Sequence, residues 1–131
     1  MRVEDLPPFV PLLLPEGWKA QAEALSAGLE EEGIPFRLER LSSADFVGAA
    51  HEAAGRSLLR VAVAGGEEGG CVHMARLPRD GPMLSLPAGA DVFQWRLLGH
   101  DAARLVKGLP LNLATSVGAL PSAADLLKEA P

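Results

Sequence analysis

Short apolar runs alternate with stretches of helical spacing along the first third of the chain. The apolar run that ends at Leu14 is too short for a helix and predicts a strand, mainly at Leu12–Leu14, because Pro11 cannot donate to a sheet ladder. The apolar residues that follow recur at intervals of four, three and four, which is one stripe of a helix. They are Trp18, Ala22, Leu25 and Leu29. Gly33 is expected just beyond the end of this helix, where a left-handed backbone is needed.

The middle third repeats the order of strand and helix. Ile34–Leu41 alternates apolar and polar residues, as a half-buried strand does, and the proline near its start favours an edge position. Ser42 or Ser43 is expected to cap a second helix, and Gly55 to end it. Its buried side would comprise Phe46, Val47, Ala50, Ala53 and Ala54. Leu58–Ala64 is nearly continuously apolar and predicts a central strand covered on both faces.

The last third predicts a hairpin, a further strand and a long helix. Gly65–Gly70 is interpreted as a turn with acidic residues at its tip, so the strand at Cys71–Leu77 should run antiparallel to its predecessor. Met83–Leu86 predicts the last strand. The final helix would begin after Asp91 and run to Lys107, with a candidate break at an internal glycine.

This order of elements predicts the fold class. Two helical crossovers imply parallel strands, and the hairpin adds one antiparallel strand, so we expect an α/β protein with a three-layer α/β/α sandwich. Residues 1–131 are taken as a single domain with a core at about 9–110. The tail at 111–131 has no strong pattern, although a short helix over Ser122–Glu129 would fit it.

Composition excludes several classes of protein but does not identify the function. The chain has 131 residues, a formal net charge of −5 and one cysteine. An acidic chain lacks the basic footprint of a nucleic-acid binder, and a lone Cys71 excludes a disulfide scaffold. No apolar run approaches the roughly 20 residues that span a bilayer, and the acidic, proline-containing start is not typical of a signal peptide. These features favour a globular protein of the cytoplasm.

The most informative local feature is a run of three carboxylates, Glu30, Glu31 and Glu32, on the last turn of the first predicted helix. The helix dipole already places partial negative charge at that end, so each exposed acid there costs about 0.3–1 kcal/mol. One interpretation is a solvated acidic end that is tolerated. The other is a cation site, at which a divalent metal or a partner's arginine offsets the repulsion. No other acidic cluster would complete an all-protein cage, so a metal here would be shared across an interface.

The remaining motifs argue against catalysis. Gly65–Gly70 lacks the Gly-Lys-Ser/Thr ending of a phosphate loop and carries acids that would repel phosphate. His51, His73 and His100 show no metal-ligand spacing, and a pairing of Cys71 with His73 on one strand face is more typical of a buried structural pair. At the end of the last helix, Arg104 and Lys107 suit the dipole or could pair with acids of a partner.

Two stretches carry a resemblance to a known family. Gly28–Leu38 and Ala102–Pro110 resemble the signature stretches of the small (beta) subunit of the reactivating factor for adenosylcobalamin-dependent diol and glycerol dehydratases. Arg96 and Gly99 also stand where that family has an Arg and a Gly. The resemblance runs from about residue 12 to residue 110 and is strong only in the two stretches. Pro11 departs from the family pattern, as do the acidic hairpin tip and the apolar stretch after Trp95.

The resemblance implies a fold and a function. The fold would be that of the dehydratase medium subunit, a mixed five-stranded sheet with one antiparallel strand between helical layers, similar to an anticodon-binding domain. The chain would be a non-catalytic, chaperone-like partner of a large ATPase subunit, with ATP or ADP on that subunit only and no cofactor bound by this chain alone. By exchanging with the dehydratase medium subunit, it would release damaged cobalamin from inactivated diol or glycerol dehydratase.

The resemblance also implies an interface. Glu31 would be a candidate magnesium ligand shared with the large subunit. The partner interface would comprise Glu30, Glu31, Glu32, Arg96, Arg104 and Lys107. The protein would be cytoplasmic and could be associated with a metabolic microcompartment. The isolated chain could form a homodimer. Two alternatives stay open: a structural medium subunit of a cobalamin-dependent dehydratase, and a flavodoxin-like small-ligand-binding domain.

Overall fold

The computed structural model describes residues 8–112 and the backbone of residues 116 and 117. The elements in chain order are β1 (Val10–Leu14), α1 (Lys19–Glu31), β2 (Phe36–Arg40), α2 (Phe46–Arg56), β3 (Val61–Gly66), β4 (Gly69–Met74), β5 (Leu84–Pro87), α3 (Val92–Lys107) and β6 (Ser116–Val117). The predicted order of strands and helices is confirmed from β1 to α3. The predicted helix at residues 122–129 lies outside the described residues.

All the strands belong to one mixed sheet with the order β2-β1-β3-β4-β5-β6. β1 pairs parallel with β2 and β3, whereas β4 pairs antiparallel with β3 and β5, so β4 is the one reversed strand of the first five. The prediction of a mixed sheet with this reversal is confirmed. β6 adds two residues, antiparallel to β5, that the sequence pattern does not predict.

The sheet lies between two helical layers. On one face, α1 and α3 cover a core of large side chains that includes Leu12, Leu25, Val63, Leu98 and Trp95. On the other face, α2 covers a core of small residues, chiefly alanines. The chain is therefore the predicted three-layer α/β/α sandwich.

Pro11 lies inside β1 rather than before it, and the hydrogen-bond pattern explains why the strand tolerates it. The Val10 amide donates to the carbonyl oxygen of Pro35 at 2.9 Å on the β2 side, so the nitrogen of Pro11 faces β3. Pairing between β1 and β3 is found from Leu12 onward. The missing N–H of the proline therefore interrupts no bond to β2.

The second predicted helix has different ends from those expected. Asp45, not Ser42 or Ser43, caps α2, because its carboxylate accepts the Gly48 amide at 3.0 Å. The helix continues through Gly55 to Arg56. Gly55 is exposed and has open space where a side chain would point, so it weakens the helix without ending it.

Three strand predictions also need correction. The strand predicted at Cys71–Leu77 is β4, which begins at Gly69 and ends at Met74, and residues 75–77 form a turn. Residues 58–60 form a turn rather than the start of β3, since the Ser57 hydroxyl donates to the carbonyl of Phe9 and accepts the amide of Leu59, and Arg60 has a positive φ. In β2 the edge position is confirmed. Leu38 nevertheless leaves 53% of its surface exposed, because β2 extends beyond the cover of α1.

Candidate functional site

The site begins with the close, parallel packing of α1 and α3. A Cβ on Gly28 would meet the carbonyl oxygen of Arg96 and lie 2.7 Å from the His100 amide nitrogen. A Cβ on Gly99 would lie 3.1 Å from the carbonyl carbon of Leu25. Because only hydrogen fits at these two positions, the backbones of the helices touch. Gly99, expected as a break, is instead the contact point within an unbroken α3.

A row of basic side chains on α3 faces the carboxyl end of α1. Arg96, His100 and Arg104 follow one another at intervals of four residues, which places them on one side of the helix. Lys107 extends the row by nearly one turn. Since the two helices run parallel, this row lies beside Glu31 and Glu32, the last acids of α1.

Glu31 is held by two of these basic residues. One carboxylate oxygen accepts a hydrogen bond from Arg96, and the other lies 2.7 Å from Nε2 of His100. Loss of water around the group acts to raise its pKa, but the bonds from Arg96 and His100 outweigh this and leave the pKa of Glu31 below its ordinary value. The carboxylate stays charged, and its side chain remains 40% exposed.

Glu32 has a larger set of partners and little exposure. Lys107 Nζ donates to its carboxylate at 2.8 Å and to its backbone carbonyl at 2.9 Å. Nδ1 of His100 lies 3.1 Å from the carboxylate, and Arg104 Nε donates to it at 3.0 Å. The hydrogen bonds from Lys107 and His100 lower the pKa of Glu32 to about 2.

His100 connects the two acids, which the sequence analysis missed. Each of its ring nitrogens lies within hydrogen-bond distance of a carboxylate oxygen, one of Glu31 and one of Glu32. Only an imidazolium carries a hydrogen on both nitrogens, so both contacts are hydrogen bonds when the ring is protonated. The four-residue spacing from Arg96 to His100 to Arg104 was the signal that could have placed it here.

We call this group the acid–base cluster. It comprises Glu31, Glu32, Arg96, His100, Arg104 and Lys107. Five of the six predicted interface residues therefore come together in the structure. Glu30, the sixth, is exposed and lines a groove on the far side of α1 with Phe36 and Leu38. The repulsion expected at the end of α1 is thus offset by side chains of this same chain.

The segment after α3 is tied to the cluster. Gly108 has a φ of 72° and ends the helix, and the Leu109 amide turns back to the carbonyl of Arg104 at 2.9 Å. Arg104 also donates to the carbonyl of Pro110 at 3.0 Å. Fully buried Asp101 accepts the amide of Asn112 at 2.7 Å, and burial raises the pKa of its carboxyl. The second signature stretch is therefore folded onto the same end of the molecule.

The Gly-rich turn has a structural explanation. Gly65 and Gly70 pair across the β3–β4 hairpin, which confirms the predicted hairpin. A Cβ on either would press into the ring of Trp95, with Cζ3 at 3.0 Å from Gly65 and 2.8 Å from Gly70. Trp95 is 2% exposed and meets Trp18 edge-on at a centroid distance of 6.0 Å. The glycines therefore form a slot for a tryptophan.

Cys71 and His73 lie on the opposite face, under α2. Burial raises the pKa of the Cys71 thiol to about 12, far from that of a reactive thiolate. Nε2 of His73 lies 2.8 Å from the carbonyl of Arg79, and its Nδ1 accepts the amide of Met74 at 3.0 Å. Both ring nitrogens are thus engaged by backbone, which favours a structural role. Its ring packs against that of His51, with centroids 4.8 Å apart.

Among residues 8–112, no group of three or more His, Cys, Asp or Glu is arranged to hold a metal ion. No helix in the described part of the chain is long and apolar enough to cross a membrane.

Comparisons with known proteins identify the family of the chain. A sequence model of the family described as "Dehydratase medium subunit" matches residues 7–112. The chain belongs to this family. The match spans the three described helices and the strands from β1 to β5.

Two relatives of the chain are small subunits of reactivating factors. The chain is 42% identical over 85 residues to the propanediol dehydratase-reactivating factor small subunit of Salmonella typhimurium, covering 65% of this chain and 73% of that one. It is 36% identical over 105 residues to the diol dehydratase-reactivating factor small subunit of Klebsiella michiganensis, covering 80% and 84%. The resemblance carried by the two signature stretches is confirmed.

Solved structures extend the similarity to the fold. A chain of the diol dehydratase-reactivating factor complexed with ADP and Mg²⁺ superposes with a TM-score of 0.74 at 34% identity, covering 82% of this chain and 99% of that one. A chain of glycerol dehydratase reactivase gives a TM-score of 0.75 at 31% identity, covering 81% and 97%. The predicted fold class is therefore confirmed against experimental structures.

Proposed function

We propose that this chain is the small subunit of a reactivating factor that acts on an adenosylcobalamin-dependent diol or glycerol dehydratase. One observation carries the proposal. The two stretches that resemble the family signatures are far apart in sequence, yet Glu32 of the first meets Arg104 and Lys107 of the second at the carboxyl ends of α1 and α3. Residues that only stabilise a fold need not cluster in one exposed place, whereas residues that contact a partner must.

In this proposal the chain docks and does not catalyse. It assembles with a large subunit that carries the ATPase activity and binds the nucleotide, and the assembly acts on inactivated dehydratase. The family is described as that of the dehydratase medium subunit, and the relatives are small subunits of reactivating factors. Since one fold serves both roles, the chain can take the place of the medium subunit, loosen the enzyme and let damaged cobalamin leave. The cytoplasm, with or without a microcompartment, is the proposed location.

The acid–base cluster is the proposed contact surface. Arg96 and His100 keep Glu31 charged and fix its position, while 40% of its side chain stays accessible. A charged group that is already ordered loses little side-chain entropy when a partner binds it. Glu32 is less accessible, at 12% exposed, and its role is to anchor Arg104 and Lys107. Of the six residues of the proposed interface, Glu31, Glu32, Arg96, Arg104 and Lys107 lie on this surface, whereas Glu30 faces the groove on the far side of α1 and would meet the partner separately.

Magnesium fits this surface only as a shared ion. Mg²⁺ prefers six oxygen ligands and often takes just one or two carboxylates from a protein. Glu31 can supply one carboxylate, but Arg96 and His100 occupy both of its oxygens in the free chain. We therefore propose Glu31 as a magnesium ligand in the complex with the large subunit, with the Arg96 bond given up on assembly. The ion would supply positive charge to join Glu31 to oxygen atoms of the partner.

Co-expression with the large subunit encoded alongside a dehydratase tests the function. A tag on the large subunit should retain this chain through size-exclusion chromatography. The complex should restore turnover to dehydratase that holds damaged cobalamin, in the presence of ATP, Mg²⁺ and intact adenosylcobalamin. A folded large subunit that emerges without this chain would contradict the proposal. Tight cobalamin binding by this chain alone, measured by absorbance, would instead support a dehydratase medium subunit.

Glu31→Gln tests the magnesium ligand. The variant should bind the large subunit at least tenfold more weakly in Mg²⁺ and should lose the difference between Mg²⁺ and EDTA. Glu23→Gln is the matched control, because Glu23 is an exposed acid on the same helix that forms an ion pair with Lys19 at 4.0 Å. Equal affinities of wild type and Glu31→Gln in Mg²⁺ and in EDTA would exclude the metal role while leaving the assembly itself intact.

A further inference from the structure

The β2 edge of the sheet is open among the described residues. β2 pairs with β1 on one side only. Val10 N donates to Pro35 O at 2.9 Å and Leu41 N donates to Leu14 O at 2.8 Å, so odd-numbered residues of β2 direct their backbone groups toward β1. The backbone N–H and C=O of Phe36, Leu38 and Arg40 therefore face outward. An unpaired row of this kind is a template for another strand.

The side chains of β2 form a self-complementary sequence about Leu38. Arg37 lies one residue before it and Glu39 one residue after it, so the two opposite charges are placed symmetrically. Both side chains point to the α2 face, where Arg37 stacks over Phe9 at 4.4 Å and Glu39 lies 3.7 Å from Arg56. Leu38 points to the α1 face and is 53% exposed.

We propose that β2 pairs antiparallel with β2 of a second copy of this chain, across a two-fold axis through Leu38. In this register Leu38 lies opposite Leu38 of the second copy, and Phe36 lies opposite Arg40 of the second copy. The outward backbone groups of these residues then satisfy one another, as in hydrogen-bonded pairs of an antiparallel sheet. The two sheets join into one continuous sheet.

Charge selects this register over its neighbours. With the axis at Leu38, each Arg37 lies directly opposite Glu39 of the second copy, in the closer, non-hydrogen-bonded type of pair. With the axis at Arg37 or at Glu39, two like charges would lie opposite each other, which destabilises a sheet. Charged residues on an edge strand ordinarily block association. Here the same charges block the wrong registers and become pairs in the proposed one.

The α1 face supplies apolar contact. A groove runs between β2 and the outer side of α1, with Phe36, Leu38, Ala22 and Ala27 among its lining residues. α1 is thus set back from the edge, and a second strand can approach without meeting a helix. On pairing, Leu38 of each copy covers the other, and the two grooves meet across the axis. The second copy therefore buries the exposed leucine that makes β2 unusual.

Charge reversal tests the pairing in the full-length chain by sedimentation velocity over a range of concentrations. Wild type should form a concentration-dependent dimer. Arg37→Glu and Glu39→Arg should each weaken it about tenfold or more, because two pairs become like charges. The double variant Arg37→Glu/Glu39→Arg should restore wild-type affinity. Arg76→Glu is the matched control, since Arg76 is an exposed arginine in the turn after β4.

Leu38→Lys is the second variant, because the exposed site tolerates lysine in the monomer while two lysines at the axis would repel. Thermal melts of each variant confirm that the chain is folded. A wild type that stays monomeric at every concentration overturns the proposal. A dimer that tolerates both single reversals and Leu38→Lys also overturns it and assigns the contact to another face. Co-purification with the large subunit is measured separately, so the two proposals fail independently.

Discussion

Helix α2 covers one face of the sheet alone, whereas α1 and α3 share the other face and also contact each other. The α2 layer is made of small residues, with Ala50, Ala53 and Ala54 against Ala62 and Ala64. The layer of α1 and α3 combines large side chains with glycines that let two backbones touch. It also ends in charged groups shared between the helices. The first arrangement fixes a helix to a sheet, while the second fixes two helices to each other at the surface proposed to meet a partner.

The largest effect should come from removing the central side chain of the layer of α1 and α3. Trp95→Ala empties the slot formed by Gly65 and Gly70 and removes the contact with Trp18, so we expect a loss of about 3–5 kcal/mol in the free energy of unfolding. Urea unfolding followed by circular dichroism measures it. Phe93→Ala is the control, because Phe93 is an aromatic residue of the same helix that is 64% exposed. It should change stability by less than about 0.5 kcal/mol.

A loss of similar size in both variants would show that α3 is stabilised along its whole length. The packing of Trp95 against Gly65 and Gly70 would then contribute no more to the free energy of unfolding than an exposed position of the same helix does.

The next effect comes from the contact between helices. Gly99→Ala places a methyl group against the backbone of Leu25, which should separate α1 from α3 and cost about 1–3 kcal/mol. Gly55→Ala on α2 is the matched control, because it makes the same change in a helix where a Cβ meets nothing within 4 Å. That variant should gain about 0.5–1 kcal/mol from helix propensity.

If Gly99→Ala lowers the free energy of unfolding and Gly55→Ala raises it, the two layers differ in how closely their helices are packed. If Gly99→Ala were also stabilising, the two helices would not be as closely packed as the structure has them. Thermal and urea unfolding of both variants distinguish these results.

The sequence predicts the positions of the strands and helices better than it predicts the contacts between the layers. Strand and helix positions follow from local spacing, and the hairpin at Gly65–Gly70 was predicted from its glycines. The reason for those glycines was not, because Trp95 lies 25 residues beyond Gly70 and nothing local connects them. The cap at Asp45 and the turn at Ser57 were missed for a similar reason. At each place several side chains could form the bond, and tertiary contacts decide which of them does.

The candidate site shows the same limit. The run from Glu30 to Glu32 stands out in the sequence because acids are unfavourable at the carboxyl end of a helix. The run alone suggests solvent, a metal or a partner's arginine as the group that offsets the repulsion. The groups that bind Glu31 are instead Arg96 and His100 of the same chain, which lie 65 and 69 residues away from it. Charge pairs across that separation depend on how α1 and α3 are aligned, and the role of Gly28 and Gly99 in setting this alignment is apparent only from the structure.

The smallest effect should be electrostatic and dependent on pH. Glu32 has a pKa of about 2 in the folded chain against an ordinary 4.5, since the hydrogen bonds from Lys107 and His100 and the charge of Arg104 favour its charged form. A carboxyl group whose pKa is lowered by folding stabilises the fold above about pH 4.5 and loses that contribution as the pH falls toward 2. Glu32→Gln should therefore be less stable than wild type at pH 7, and the difference should shrink between pH 4.5 and pH 2.

Urea unfolding of wild type and Glu32→Gln at several pH values measures this difference. Glu23→Gln is again the control, because Glu23 is 69% exposed and exposed ion pairs contribute little. A difference between Glu32→Gln and wild type that stayed constant from pH 7 to pH 2.5 would mean that Glu32 stabilises through packing and not through charge. The acid–base cluster would then be a passive surface feature, and the contrast with the apolar α2 layer would rest on glycines and Trp95 alone.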